Sequence, residues 1–193
     1  MRKEWSEERQ LWVLRLVMDR RPRNAEERKL IPSEDTMPHG TCFTEIVSVP
    51  GYVLRLWAID LPQYYYTMAV SEERAQNNVF TKPMNGDAFK DTAAVQRLLE
   101  REGRPANAEE GEVCFSLSTM AMGDVNATTF GQQGHVTLLR QHGAMQQDEM
   151  QQDEMLTYRG VPPAGPVYEG VVIDDHCVAA QVPKRKRWRQ SKG

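Results

Sequence analysis

One stretch constrains the chain more than any other: Gly170-Val171-Val172-Ile173-Asp174-Asp175-His176-Cys177-Val178-Ala179-Ala180. Two short apolar runs, 171–173 and 177–180, flank a pair of adjacent carboxylates. That is the pattern of a β-hairpin with acid at its tip. Taken alone, the pair marks a turn, because Asp side chains bond their own backbone there. To become a chemical site, the turn needs a third carboxylate brought beside it by the fold.

The candidate for that third carboxylate is Asp60, in Leu54-Arg55-Leu56-Trp57-Ala58-Ile59-Asp60-Leu61-Pro62-Gln63-Tyr64-Tyr65-Tyr66. Residues 54–59 are apolar and favour a strand, apart from Arg55. Asp60 ends the run, and Pro62 stops it continuing as a central strand. Two strand ends that carry carboxylates form the arrangement used in divalent-metal phosphoryl transfer. Mg²⁺ is hard, prefers oxygen, and is held by a few carboxylates plus substrate phosphates. Two such ions activate an attacking hydroxyl and stabilise the leaving pyrophosphate.

Two further stretches extend the pattern: Met120-Ala121-Met122-Gly123-Asp124-Val125-Asn126-Ala127, and Arg15 with Asp19, Arg21 and Asn24. Over roughly residues 11–183 the chain resembles the reverse transcriptases of retrotransposons, with four motifs in the family's order. Val172-Ile173-Asp174-Asp175 is similar to the aromatic-x-Asp-Asp motif. Asp60 with Tyr65 is similar to the first palm motif, and the Gly123 stretch to the Leu-Pro-x-Gly-x-x-Asn motif. The Arg15 to Asn24 spacing resembles the fingers signature. Three positions depart from the pattern: Val172 stands at the aromatic position, Ala121 at the proline and Met120 at the leucine.

The resemblance implies an α+β fold: a palm-like antiparallel sheet with helices packed on one face, partial fingers and no thumb. It divides the chain into fingers-like 1–40, palm-like 41–183 and a basic tail, 184–193. It implies RNA-directed DNA synthesis, with Asp60, Asp174 and Asp175 as catalytic residues and ligands of two Mg²⁺ ions. Arg15 then contacts the triphosphate, Tyr65 is the steric gate, and Met122 and Gly123 line the nucleotide. The implied partners are an RNA or DNA template with primer, and deoxynucleoside triphosphates. Where the thumb is expected, Lys184-Arg185-Lys186-Arg187-Trp188-Arg189 follows instead. The expectation is therefore a retroelement fragment, weak or inactive alone. Two other classes stay open: a non-catalytic nucleic-acid-binding remnant using the basic run, and a protein-interaction module with no metal site.

Composition limits these readings. The chain has 193 residues, 40% of them apolar, enough for one domain with a core. A net charge of −3 does not advertise a nucleic-acid surface, although local basic patches are compatible with it. The three cysteines contain no Cys-x-x-Cys, which argues against a disulfide framework or zinc site. They fit a reducing compartment, cytoplasm or nucleus. No run of 18 apolar residues is present, so no membrane span is expected.

Local signals fill in the rest. Ser6 is placed to cap a helix, as is Ser71. Residues 12–18 read as a fingers strand by resemblance, and 25–30 as a short helix. Residues 88–102 read as a helix that Gly103 ends. Asp124 or Asn126 is placed to cap a second helix that runs to about His142. Gly131 and Gly134 weaken that helix by about 1 kcal/mol each unless close packing requires them. Met145-Gln146-Gln147-Asp148-Glu149 repeats at once as 150–154, too short for a solenoid unit. It reads as an acidic insertion between the Gly123 loop and the hairpin.

Overall fold

The computed structural model describes residues 2–8, 10–14, 16, 18–31, 34–105, 111–143, 145 and 155–184. Arg15, residues 146–154 of the tandem repeat, and 185–193 of the basic tail lie outside them. The described residues form an α+β chain with six α-helices. In order they run β1 (Arg2–Ser6), β2 (Leu11–Leu14), α1 (Arg21–Asn24), α2 (Gly40–Thr44), β3 (Tyr52–Asp60), α3 (Tyr64–Thr67) and α4 (Glu72–Gln76). There follow β4 (Met84–Asn85), α5 (Ala93–Glu102), β5 (Glu112–Val113), α6 (Ala127–Gln141), β6 (Val167–Val172) and β7 (Asp175–Pro183). Among the described residues, these strands pair only in antiparallel fashion. The chain divides into two compact units, residues 1–25 with 65–124, and residues 26–64 with 125–193.

In the first unit, β1 and β2 form a hairpin with Trp5 opposite Trp12, their rings edge-to-face at 5.7 Å. Ser6 therefore ends a strand and caps no helix. Trp12 finds Trp5 across the two strands, a contact that favours strand over helix. The helix expected over 25–30 lies earlier, at Arg21–Asn24. Ser71 does cap α4, its hydroxyl accepting from the Arg74 amide at 3.2 Å. Thr92 caps α5. Gly103 ends α5 at φ +66°, in the left-handed conformation that costs glycine nothing. Val95 and Leu99 are the buried face of α5.

Asp124 has a different task from the expected cap. Its carboxylate accepts from Arg20 at 3.0 Å and from Arg74 at 2.6 Å, and its side chain is fully buried. Two guanidiniums on one carboxylate tie together the start of α1, α4 and the Gly123 loop. Asn126, in the second unit, occupies the cap position of α6 without making a cap bond. Its side chain instead accepts from the Leu30 amide at 2.9 Å and donates to the Arg28 carbonyl at 3.1 Å.

The second unit is built on a sheet of order β3-β7-β6. Residues of β6 and β7 alternate between two covered faces. Val171 joins Val136, Met145 and Met155 on the α6 side. Tyr168 and Ala179, which are register partners, join Cys42 and Leu156, with Phe43 and Ile46 packed against them. Helices thus cover both faces of the hairpin, where the resemblance implied one. The reason lies in α2: Cys42 and Phe43 bring an apolar patch to the second face, which a bare polar loop cannot cover. Of the two glycines of α6, Gly134 has a packing account in Tyr64. Tyr64 donates its hydroxyl to the Gly131 carbonyl at 2.9 Å. A Cβ on Gly134 comes within 3.2 Å of that hydroxyl oxygen. β3 is the edge of the sheet, and all nine of its residues are exposed.

Candidate carboxylate site

The antiparallel register of β3 and β7 sets Asp60 directly opposite Asp175. The Leu61 amide donates to the Asp174 carbonyl at 3.0 Å, just beyond that pair. A bond from the following residue to the preceding one makes Asp60 and Asp175 a non-hydrogen-bonded pair. In such pairs the Cα atoms lie about 4.5 Å apart and the side chains share one face, closer than elsewhere in the ladder. Two exposed carboxylates therefore stand side by side where like charges repel. Asp174, half-buried, is the next residue along. Asp60 is thus placed at the same end of the sheet as the adjacent pair Asp174 and Asp175, which lie more than a hundred residues further along the chain.

The row beneath them on the same face is Ala58, Cys177 and Gly170, again register partners. All three are small. A Cβ on Gly170 falls 2.7 Å from Pro38 Cγ and 3.0 Å from Cys177 Sγ, so only glycine fits. Burial pushes the Cys177 thiol up from its ordinary value, and the negative charge of Asp175 adds to that. The thiol stays protonated at neutral pH.

The turn is not where Asp chemistry alone puts it. Val172 pairs with Asp175, so the two loop residues are Ile173 and Asp174. Ile173 sits at φ +59°, and Asp174 is not in the left-handed region. A positive φ at the first loop residue only is the type II′ pattern, where glycine is usual. For a β-branched residue it is strained, at a cost on the order of 1–3 kcal/mol.

Two side chains of α6 hold it. Gln132, fully buried, accepts from the Ile173 amide at 2.8 Å and donates to the Val171 carbonyl at 2.9 Å. His135, also buried, bonds the Ile173 carbonyl through Nδ1 at 2.8 Å. A carbonyl only accepts, so Nδ1 carries the hydrogen. Next to His135, His176 bonds Glu169 at 2.8 Å, with both side chains buried. Sequence reasoning gave no role to Gln132, Glu169 or His176, and read His135 as a packed or half-exposed residue; it is buried. The available signal was two polar residues, three apart, in the buried stripe of α6 beside Val136.

The remaining candidates belong to the first unit. Tyr65 is half-buried in α3. Met122 is half-buried and takes a hydrogen bond on its sulfur from the hydroxyl of Tyr66, not Tyr65, at 3.7 Å. Gly123 has φ +91°, and its carbonyl accepts from Asn24 at 2.8 Å. Asp19 and Arg21 form an exposed two-pronged pair at 2.7 and 2.8 Å. The Arg21 guanidinium holds the Asp19 carboxyl down to about 2.

Among the described residues, no group of three or more His, Cys, Asp or Glu side chains is arranged to hold a metal ion. Mg²⁺ does not require one, since it binds through one or two carboxylates with waters and substrate phosphates making up the rest. Asp60 and Asp175 supply such a pair, hard in donor type and exposed. They fit. No family model, no curated protein and no solved structure matches the chain. No helix among the described residues is long and apolar enough to cross a membrane.

Proposed function

We propose that the chain is a reverse transcriptase-like domain, a palm-like sheet with partial fingers, which binds a primed RNA or DNA template and deoxynucleoside triphosphates. The observation that carries the reading is the Asp60–Asp175 register pair, with Asp174 adjacent in the turn. The motif order in the sequence supports it independently.

In this reading Asp60 and Asp175 would hold Mg²⁺ with the substrate phosphates, and Asp174, next along the turn, is the third acid that the motif match implies. The bound metal supplies charge neutralisation at the α-phosphate and a more acidic primer 3′-hydroxyl. The protein's own contribution is position. Asp60 is fixed by nine consecutive register pairs between β3 and β7. Asp175 is fixed by the same ladder and by β6. The small row of Ala58, Cys177 and Gly170 beside the carboxylates accommodates Pro38, which packs against Gly170. Tyr65, Met122 and Gly123 are proposed as nucleotide contacts on the motif match, and Arg15 as the triphosphate contact.

Primer extension on the purified chain with Mg²⁺ tests the reading, with Asp60→Asn and Asp175→Asn as controls. Incorporation, however slow, that both variants abolish supports it. Incorporation unaffected by either variant, or a metal-independent product, removes it. Absence of both Mg²⁺ binding and primer-template binding removes it as well.

A second reading, a protein-interaction module, rests on β3. Leu56, Trp57 and Ile59 are 65, 49 and 59% exposed on an unpaired edge. Its signature is unchanged behaviour in Asp60→Asn with strong sensitivity to charge placed at Leu56.

A further inference from the structure

We propose that Gln132 and His135 are positioning residues that choose the turn of the β6–β7 hairpin and so keep Asp175 in the ladder opposite Asp60. The proposal rests on the reading of the carboxylates as a cation site.

The argument starts from a competition written into the sequence. Ile173-Asp174-Asp175 offers two possible two-residue loops. Asp174 and Asp175 both suit a turn, because Asp tolerates the special backbone conformations and bonds its own backbone. Ile173 does not suit one. With the loop at 174–175, Asp175 leaves the strand and its pairing with Val172 is gone. Loop type fixes hairpin register, so the carboxylate site depends on which loop forms.

The structure has the disfavoured loop, Ile173–Asp174, with Ile173 at φ +59°. Three bonds from α6 end on the backbone of that hairpin tip: Ile173 amide to Gln132, Val171 carbonyl to Gln132, and Ile173 carbonyl to His135, all between 2.8 and 2.9 Å. Every one of these bonds is to backbone, so the clamp reads the conformation of the loop, not its side chains. Gln132 uses both ends of its amide, one as donor and one as acceptor. Neither Glu nor Leu reproduces that. The clamp reaches the tip from the α6 side, where Val171 packs, and the face carrying Asp60 and Asp175 is the opposite one. The device therefore fixes the carboxylates without covering them.

The test uses the full chain and Mn²⁺ as the probe, with affinity measured by calorimetry. Gln132→Leu is expected to weaken Mn²⁺ binding about tenfold or more, the scale on which groups orienting metal ligands act. Ile173→Gly alone is expected to stay within about threefold of the parent, because glycine takes this φ without strain. The double variant Gln132→Leu with Ile173→Gly is expected to recover most of the loss. A merely structural role for Gln132 is not rescued by a glycine that adds freedom and removes contacts. Unchanged affinity in Gln132→Leu, or no recovery in a folded double variant, overturns the proposal. Should Gln132→Leu fail to fold, His135→Phe removes one bond and keeps the ring. An affinity loss of about threefold that Ile173→Gly reverses supports the proposal, and its absence overturns it. If the parent chain takes no Mn²⁺, the cation reading falls, and the clamp is judged by amide exchange at Ile173. Protection lost in Gln132→Leu supports the clamp, and equal exchange overturns it.

Discussion

Asp60→Asn is expected to make the metal-free chain more stable, the opposite of what most substitutions do. The reasoning begins at the register pair Asp60–Asp175. In a non-hydrogen-bonded pair the two carboxylates stand about 5 Å apart on one face. Unit charges at that distance repel by about 0.8 kcal/mol in water and about 3 kcal/mol at an effective dielectric of 20. Both residues are exposed, so the lower figure governs. At 0.15 M salt the Debye length is about 8 Å, which leaves roughly half of it. Asparagine keeps the shape and removes the charge. The expected gain is about 0.5–1 kcal/mol in EDTA at low salt, equivalent to roughly 1–4 °C in midpoint for a chain of this length.

Thermal unfolding with and without Mg²⁺ reads the effect, with the exposed Asp91→Asn as a control for loss of one negative charge. The gain shrinks in 1 M salt, where screening acts within about 3 Å. If the proposed cation site holds, added Mg²⁺ is expected to reverse the ranking, because a ligand stabilises the form that binds it. The parent chain rises and Asp60→Asn rises less. A lower midpoint for Asp60→Asn in EDTA refutes the geometric argument. Equal responses to Mg²⁺ refute the cation site.

Other perturbations act elsewhere. Asp124→Ala leaves Arg20 and Arg74 facing a buried void where a carboxylate bound both, and is expected to cost about 3–5 kcal/mol in urea unfolding. Gly170→Ala forces a Cβ to 2.7 Å from Pro38, and is expected to cost about 1–3 kcal/mol by the same assay. The Asp19 carboxyl, lowered by Arg21, is expected to titrate by NMR near 2 and to return to the ordinary carboxylate range in Arg21→Gln. A lowered value means that any stabilisation is full above the unfolded value and fades as pH falls towards 2. Leu56→Lys on the free edge of β3 is expected to raise solubility with little change in midpoint, read by light scattering on heating.

Elements whose signal is local were legible in the sequence. Residues 88–102 contain α5, and Gly103 ends it for the stated reason. The strand leading to Asp60 stands where the apolar run puts it, and the hairpin forms where expected but with its tip one residue earlier, at Ile173 and Asp174. Two of the errors share one cause, a side chain recruited from far along the chain, and the third comes from a hairpin partner nearby. Asn126 has the residue type of a cap but is used by Leu30 and Arg28. Asp124 likewise is taken by two arginines. Ser6 precedes acidic residues that suit a helix start, yet Trp5 finds Trp12 across a hairpin. Local propensity is a weak prior, and tertiary partners override it.

The candidate site divides along the same line. Which acids belong together was suggested by motif order, since nothing in local pattern links Asp60 to Asp175. Which acid faces Asp60 was not legible at all. Turn preference selects the Asp pair as the loop, and that selection takes Asp175 out of the strand. The observed loop spends a strained isoleucine to keep Asp175 in place, and the bonds that stabilise it come from α6, about forty positions earlier in the chain. A chain that only needed a hairpin had an easier loop in its own sequence. Strain held by a buried amide and an imidazole, at the one position that decides whether two like charges meet, is the arrangement expected when their meeting has a use. The Ile173→Gly rescue separates that explanation from accident, because relief of the strain must make Gln132 dispensable for the carboxylates and for nothing else.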